Sequence, residues 1–136
     1  MNKQFLISVV VFFFVSMTTD FVLHGLVLAN DYAAQPALSR APDDAMRHFP
    51  VMLLAHVFLA IGITAIYRRG REASRDWMGQ GVRFGLWFAI ASCVPTFMIY
   101  YAVQPMGLML AFKQIVFGGV QTVLLGIVVA ALNKQA

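Results

Sequence analysis

The chain has 136 residues, 60% of them hydrophobic and only 12% charged, about half the charged share of an ordinary soluble domain. That composition excludes a water-soluble surface, and the length sets an expectation of one domain. The formal charge is +4, but the basic residues flank apolar runs and form no patch interleaved with aromatics, which argues against a nucleic-acid partner.

Four apolar runs, residues 5–28, 49–67, 84–104 and 107–132, are each long enough to cross a hydrocarbon core of roughly 30 Å, which takes about 20 apolar residues. Between them lie an outer loop at 29–48, a cytoplasmic loop at 68–83 and a tight turn. This pattern predicts an all-α integral membrane bundle, four helices in up-down-up-down order, as a single transmembrane domain over residues 1–136. The lipid bilayer is its first partner.

The first run reads FLISVVVFFFVSMTTDFVLHGLVL and carries Asp20 and His24 one helical turn apart. Ionisable groups inside such a span are costly and point to function. A cleaved signal peptide is the competing reading, because Lys3 precedes the run and Val27-Leu28-Ala29 resembles a small-residue cleavage site. The run exceeds the roughly 7 to 15 residues of an h-region, and Asp20 interrupts it, so we expect it to be retained as a span.

In the outer loop, Pro36, Pro42 and small residues predict irregular backbone, followed by a short surface helix over 42–48. Its proline and acids stand first, and Asp43/Arg47 and Asp44/His48 are spaced i,i+4. This segment is either a solvated connector or a lid. The second span then opens with Pro50 in its first turn, and His56, Ala60 and Thr64 form a small-or-polar stripe along it.

The cytoplasmic loop, RRGREASRDWMGQGVR, sets arginines around Trp77, which fits a segment lying on an anionic leaflet. Gly70, Gly79 and Gly81 do not match a phosphate-cradling loop. Cys93, the only cysteine, leaves no intramolecular disulfide and reads as a packing residue. Pro95 predicts a kink in the third span, with Ser92 and Thr96 near enough to satisfy opened backbone. Tyr100-Tyr101 fit an interface belt. The turn Gln104-Pro105-Met106-Gly107 is so short that spans three and four form an antiparallel hairpin. On span four Gly118, Thr122, Gly126 and Ala130 recur every fourth residue, a close-packing ridge that serves an internal seam or a homodimer face.

Orientation follows from Lys and Arg in the flanks. Lys3, Arg68, Arg69, Arg71, Arg75, Arg83 and Lys134 fall on one side, Arg40 and Arg47 on the other, and Lys113 lies inside the last span. The positive-inside rule therefore predicts both termini in the cytoplasm.

Counting about 1.5 Å per residue from each span's midpoint puts Asp20 roughly 5 Å outward of the midplane, His24 about 11 Å and His56 about 4 Å. Tyr100, Lys113 and Gln114 fall at about 8 to 10 Å on the same side, whereas the inner half holds little besides Gln121 and hydroxyls. Asp20, His24, His56, Tyr100, Lys113 and Gln114 thus form the expected outward-facing site. Asp20 carries charge or a titrating proton there, the histidines relay protons or bind ligand, and Lys113 is the counter-ion. Tyr100 and Gln114 orient polar atoms. The structural alternatives are a snorkelling Lys113, histidines as interhelical glue and a purely structural Asp20 pair.

Six of the eight methionines, Met17, Met46, Met52, Met98, Met106 and Met109, fall in or above the outer half. With His24 and His56 beside Met17 and Met52, Cu(I) is conceivable, as is haem held by the two histidines, although no spacing is a metal motif. No enzymatic signature is present, and nothing nominates a nucleophile.

The stretches TDFVLHG, GVRFGLWFAI, PTFMIYYAVQP and KQIVFGG resemble those of small four-span bacterial inner-membrane proteins without assigned chemistry. The resemblance implies four spans in a bacterial inner membrane and transfers no activity, cofactor or site. The expected function is a non-enzymatic binding or transport-associated role, requiring a homo-oligomer or a partner. The alternative is an accessory or assembly subunit of a larger membrane complex.

Overall fold

The computed structural model describes residues 3–72 and 74–134. Those residues form helices joined by short connections, with no strand among them. Four helices are long and apolar enough to cross a membrane: α1 (Lys3–Val27), α2 (Pro42–Gly70), α3 (Trp77–Val103) and α4 (Leu108–Leu132). At 25 to 29 residues each they are about 37 to 44 Å long. Their outward faces expose Phe14, Phe21, Phe58, Trp87 and Phe112 at 60% or more, an apolar surface that suits contact with acyl chains and would aggregate in water.

Helix α2 begins at Pro42, so the expected surface helix and the second span are one rod with Pro50 inside it. Pro42 starts the helix, Asp43 and Asp44 occupy its first turn, and Arg68 and Arg69 its last, the order of charges that complements the helix dipole. Pro50 removes one N–H from the ladder. Met46, whose carbonyl loses that donor, is 71% exposed, so the turn is open to solvent and the helix runs through.

Most of the expected 68–83 loop is also helical. Asp76 Oδ2 accepts from Gly79 N at 2.7 Å and caps α3. The buried Gln80 amide pins the remaining loop through Glu72 N, Glu72 O and Arg75 O at 2.7, 2.9 and 3.0 Å.

Two helices widen into π turns, α1 over Phe21–Val27 and α3 over Ala89–Cys93. The second lies just before Pro95, where an extra residue in the turn relieves the clash a proline imposes on the preceding carbonyl. Ser92 Oγ donates to Phe88 O at 2.6 Å beside it.

Helix α1 packs on α2 and α4, and α3 packs along α4. The α3–α4 seam is built of glycine. A Cβ added at Gly85 would lie 2.6 Å from Val123 Cα, and one at Gly81 2.8 Å from Gly126 O. The ridge Gly118, Thr122, Gly126 is therefore turned toward α3, with Gly118 against the Cys93 sulfur.

One core cluster joins Phe12, Ala60, Ile63, Tyr67, Leu125, Val129 and Ala130. Gln4 Nε2 donates to Leu132 O at 3.3 Å, Ser8 Oγ to Asn133 Oδ1 at 3.3 Å and Arg71 to Asn133 O, which knits the start of α1 and the ends of α2 and α4 into a terminal end. A second cluster, Leu23, Leu28, Met106, Leu110 and Ala111 with Tyr32 and Leu38 packed on it, marks the connector end. The expected irregular backbone is here a short helix, Ala29–Ala33, and a 3-10 turn, Pro36–Leu38. Leu28, Tyr32 and Leu38 give that segment apolar contacts and hence a fixed place.

Candidate functional site

The polar residues gather in two clusters, one above the other. The deeper one joins three helices around Asp20. His56 Nε2 lies 2.6 Å from Asp20 Oδ2, and His56 Nδ1 lies 2.9 Å from Met52 O. A carbonyl oxygen only accepts, so Nδ1 carries a hydrogen. At 2.6 Å, Nε2 and Oδ2 then need one proton between them, as imidazolium facing carboxylate or as carboxyl facing neutral imidazole. In either arrangement the pair holds one proton at a defined place.

From α4, Gln121 Nε2 donates to Asp20 Oδ1 and, at 3.0 Å, to Thr19 Oγ1. The Phe13 ring meets the imidazole edge-on, centroids 6.4 Å apart at 85°. The His56 side chain is 9% exposed and that of Asp20 35%, so the carboxylate is the open member of the pair. It reaches a cavity of about 110 Å³ lined by Phe12, Asp20, Leu59, Ile63, Phe84, Phe88, Gln121, Thr122, Leu125 and Gly126.

The second cluster lies at the connector end. Lys113 Nζ donates to Asp31 Oδ1 and Oδ2 at 2.7 and 2.9 Å. The Tyr32 hydroxyl accepts from Gln114 Nε2 at 2.7 Å and lies 2.7 Å from His24 Nδ1, so it can pass its own hydrogen to the imidazole. Gln35 Oε1 accepts from Gly107 N at 2.6 Å. Burial pushes the Tyr32 phenol above its ordinary range; the Gln114 hydrogen bond opposes this and the Asp31 charge adds to it. Gln114 is 3% exposed, and its Oε1 has no hydrogen-bond partner among the described residues.

Of the six expected residues, the structure thus joins Asp20 to His56, and His24 to Gln114 through Tyr32. Lys113 is the counter-ion of Asp31 and makes no pair with Asp20. Tyr100 is 41% exposed, meets Phe97 edge-on and forms no hydrogen bond to either cluster among the described residues. The i,i+4 spacing that should stack His24 on Asp20 is interrupted by the π turn that begins immediately after Asp20, and His24 turns to Tyr32.

The metal candidates His24, His56, Met17 and Met52 do not form one set. His56 has both ring nitrogens committed, one of them to the Met52 carbonyl, and His24 belongs to the other cluster. Among the described residues no three His, Cys, Asp or Glu side chains converge as ligands.

Sequence reasoning missed Gln121, Thr19, Asp31, Tyr32 and Gln35 as site members. Gln121 had a signal, the polar stripe it shares with Gln114 and Gly118, but its depth alone set it apart from Asp20. Asp31 and Tyr32 had none beyond their place just after a span. Compared with family models, curated proteins and solved structures, the chain matches none.

Proposed function

We propose that the chain is a multi-pass protein of the bacterial inner membrane whose Asp20–His56 pair is an intramembrane proton-binding centre serving ligand binding or transport. The contact of 2.6 Å between Asp20 Oδ2 and His56 Nε2, with Nδ1 already given to Met52 O, carries this reading. A pair that holds one proton, its imidazole buried and its carboxylate open to a cavity, can load and release it without rearranging the helices. Up-down-up-down order with cytoplasmic termini is supported by the basic bias and by the contacts that gather residues 4, 71 and 133 at one end.

Histidine ¹⁵N resonances of the full chain in lipid nanodiscs test the centre. One ring should keep its hydrogen on Nδ1 across neutral pH, with an Nε2 signal that moves when Asp20→Asn is introduced. A His56 ring with unprotonated Nδ1, or one indifferent to Asp20→Asn, overturns the proposal.

The second reading, a subunit of a homo-oligomer or larger complex, draws on α3. Met78, Leu86, Trp87 and Ile90 on its outer face are at least 50% exposed. Mass measurement of the protein extracted in mild detergent separates a monomer from an assembly.

A further inference from the structure

We propose that the cavity beside Asp20 binds a small primary ammonium ion, R–NH₃⁺ with a short alkyl group, in exchange for the proton held between Asp20 and His56. This rests on the reading of that pair as a proton-binding centre.

Size comes first. A volume of about 110 Å³ equals three to four water molecules at about 30 Å³ each, in a cleft that is partly open at its mouth. A ligand of a few heavy atoms fits.

The polar atoms on the wall are acceptors. An ionised carboxylate offers about four lone-pair positions, of which His56 Nε2 and Gln121 Nε2 use two. Gln121 gives its amide hydrogens to Asp20 and Thr19, and among the described residues no donor reaches its Oε1. The Thr122 hydroxyl hydrogen goes to Gly118 O at 2.7 Å. A wall with acceptors and no free donor turns away carboxylates and phosphates and receives N–H groups. The rings of Phe84 and Phe88, stacked with centroids 6.1 Å apart, add faces that attract cations, and Leu59, Ile63 and Leu125 suit a short alkyl chain.

Charge decides the exchange. Of the other ionisable groups near the pair, His24 on α1 is engaged with Tyr32, and Lys113 on α4 with Asp31. Helix α3 brings only phenylalanines to the cavity, and its Cys93 lies against the carbonyls of Gln114 and Ile115. His56, from α2, is therefore the group in direct contact with Asp20, and His24, though bonded to Tyr32, lies within electrostatic reach of the same carboxylate. When the ammonium enters between the two side chains, which part to admit it, and donates one N–H to Asp20 and another to His56 Nε2, the pair's proton leaves to solvent and His56 becomes neutral with Nδ1–H still on Met52 O. One positive charge enters and one departs, so the centre's net charge is unchanged.

The test is calorimetric titration of the full chain in lipid nanodiscs with ethylammonium chloride, in two buffers of different ionisation enthalpy. The expected result is saturable binding with close to one proton released per ion, and affinity that rises about tenfold per pH unit while the pair is protonated. Asp20→Asn should weaken binding at least about tenfold, and tetramethylammonium, bulkier and without N–H groups, should not compete. No saturable binding in protein that still shows the Asp20-dependent histidine signal overturns this proposal and leaves the proton centre standing. Binding without proton release, or equal binding of tetramethylammonium, overturns it too. Should Asp20→Asn fail to fold, the proton count of the wild-type protein decides.

Discussion

Because the Met52 carbonyl takes the Nδ1 hydrogen of His56, the ring is oriented by its own helix, and Asp20 meets a nitrogen already in place. Gln121 does for the carboxylate what Met52 does for the imidazole. Replacing Gln121 by Leu removes its hydrogen bonds to Asp20 and Thr19. Interhelical hydrogen bonds in membrane proteins are worth about 0.6 kcal/mol on average, up to about 1.7, so Gln121→Leu should destabilise by about 1 kcal/mol in an unfolding titration; an unchanged midpoint would count against the bridge. Tyr32 yields a pH prediction. Its phenol, ordinarily near 10.0, is raised in the fold, chiefly by burial, so the folded protein holds that proton more tightly than the unfolded chain. The stabilisation is fully present below about pH 10 and is lost as pH rises through the higher folded value. The tyrosinate absorbance of wild type minus that of Tyr32→Phe should therefore rise above pH 10, and a rise at or below it would contradict the buried hydrogen-bonded setting.

At the scale of helices, the apolar runs were legible because a bilayer demands a length of apolar residues whatever the packing. Helix starts were less so. The run-based spans began at 49 and 84, whereas α2 starts at Pro42 and α3 at Trp77, since caps and dipole-matched charges extend helices into polar sequence that hydropathy reads as loop. That shift hid half of the glycine seam. The ridge on α4 was visible as small residues every fourth position, but its counterpart, Gly81 and Gly85 on α3, straddled the expected loop boundary. The seam makes a sharp prediction. A Cβ at Gly85 or Gly126 would meet backbone atoms of the opposite helix at 2.8 Å or less, while one at Gly119 finds nothing within 4 Å. Backbone cannot swing aside as a side-chain tip can, so Gly85→Ala and Gly126→Ala should each cost about 1 to 3 kcal/mol. Gly119→Ala should be neutral or stabilising by up to about 1 kcal/mol, the helix-propensity gain. Three thermal midpoints, measured side by side, check the contrast; equal effects at all three positions would mean that α3 and α4 do not approach along this face.

For the whole molecule, the sequence placed polar groups by depth and could not tell which ones meet. Lys113 shows why. Its partner Asp31 lies in a connector whose position depends on Leu28, Tyr32 and Leu38 packing on a cluster drawn from α1 and α4, a tertiary fact with no periodic signature. Ion pairs lie at both ends of the bundle. At the connector end, Arg40 is paired with Asp44 at 2.7 Å and Lys113 with Asp31. At the terminal end, Glu72 pairs with Arg75 at 2.6 Å and with Arg83 at 2.9 Å, while Arg71 reaches Asn133 O and Lys134 lies over the Trp77 ring at 5.6 Å. Acids weigh little in membrane topology, so it is the bias of Lys and Arg toward the terminal end that should hold that end in the cytoplasm. In a Cys93→Ala background, Ser39→Cys should react with a membrane-impermeant thiol reagent added to intact cells. Ser74→Cys and Lys134→Cys should react only after the membrane is opened. If Ser74→Cys and Lys134→Cys label from opposite sides, the helices do not alternate as proposed. If both label in intact cells while Ser39→Cys does not, the bundle is inverted, and the Asp20 centre opens toward the cytoplasm.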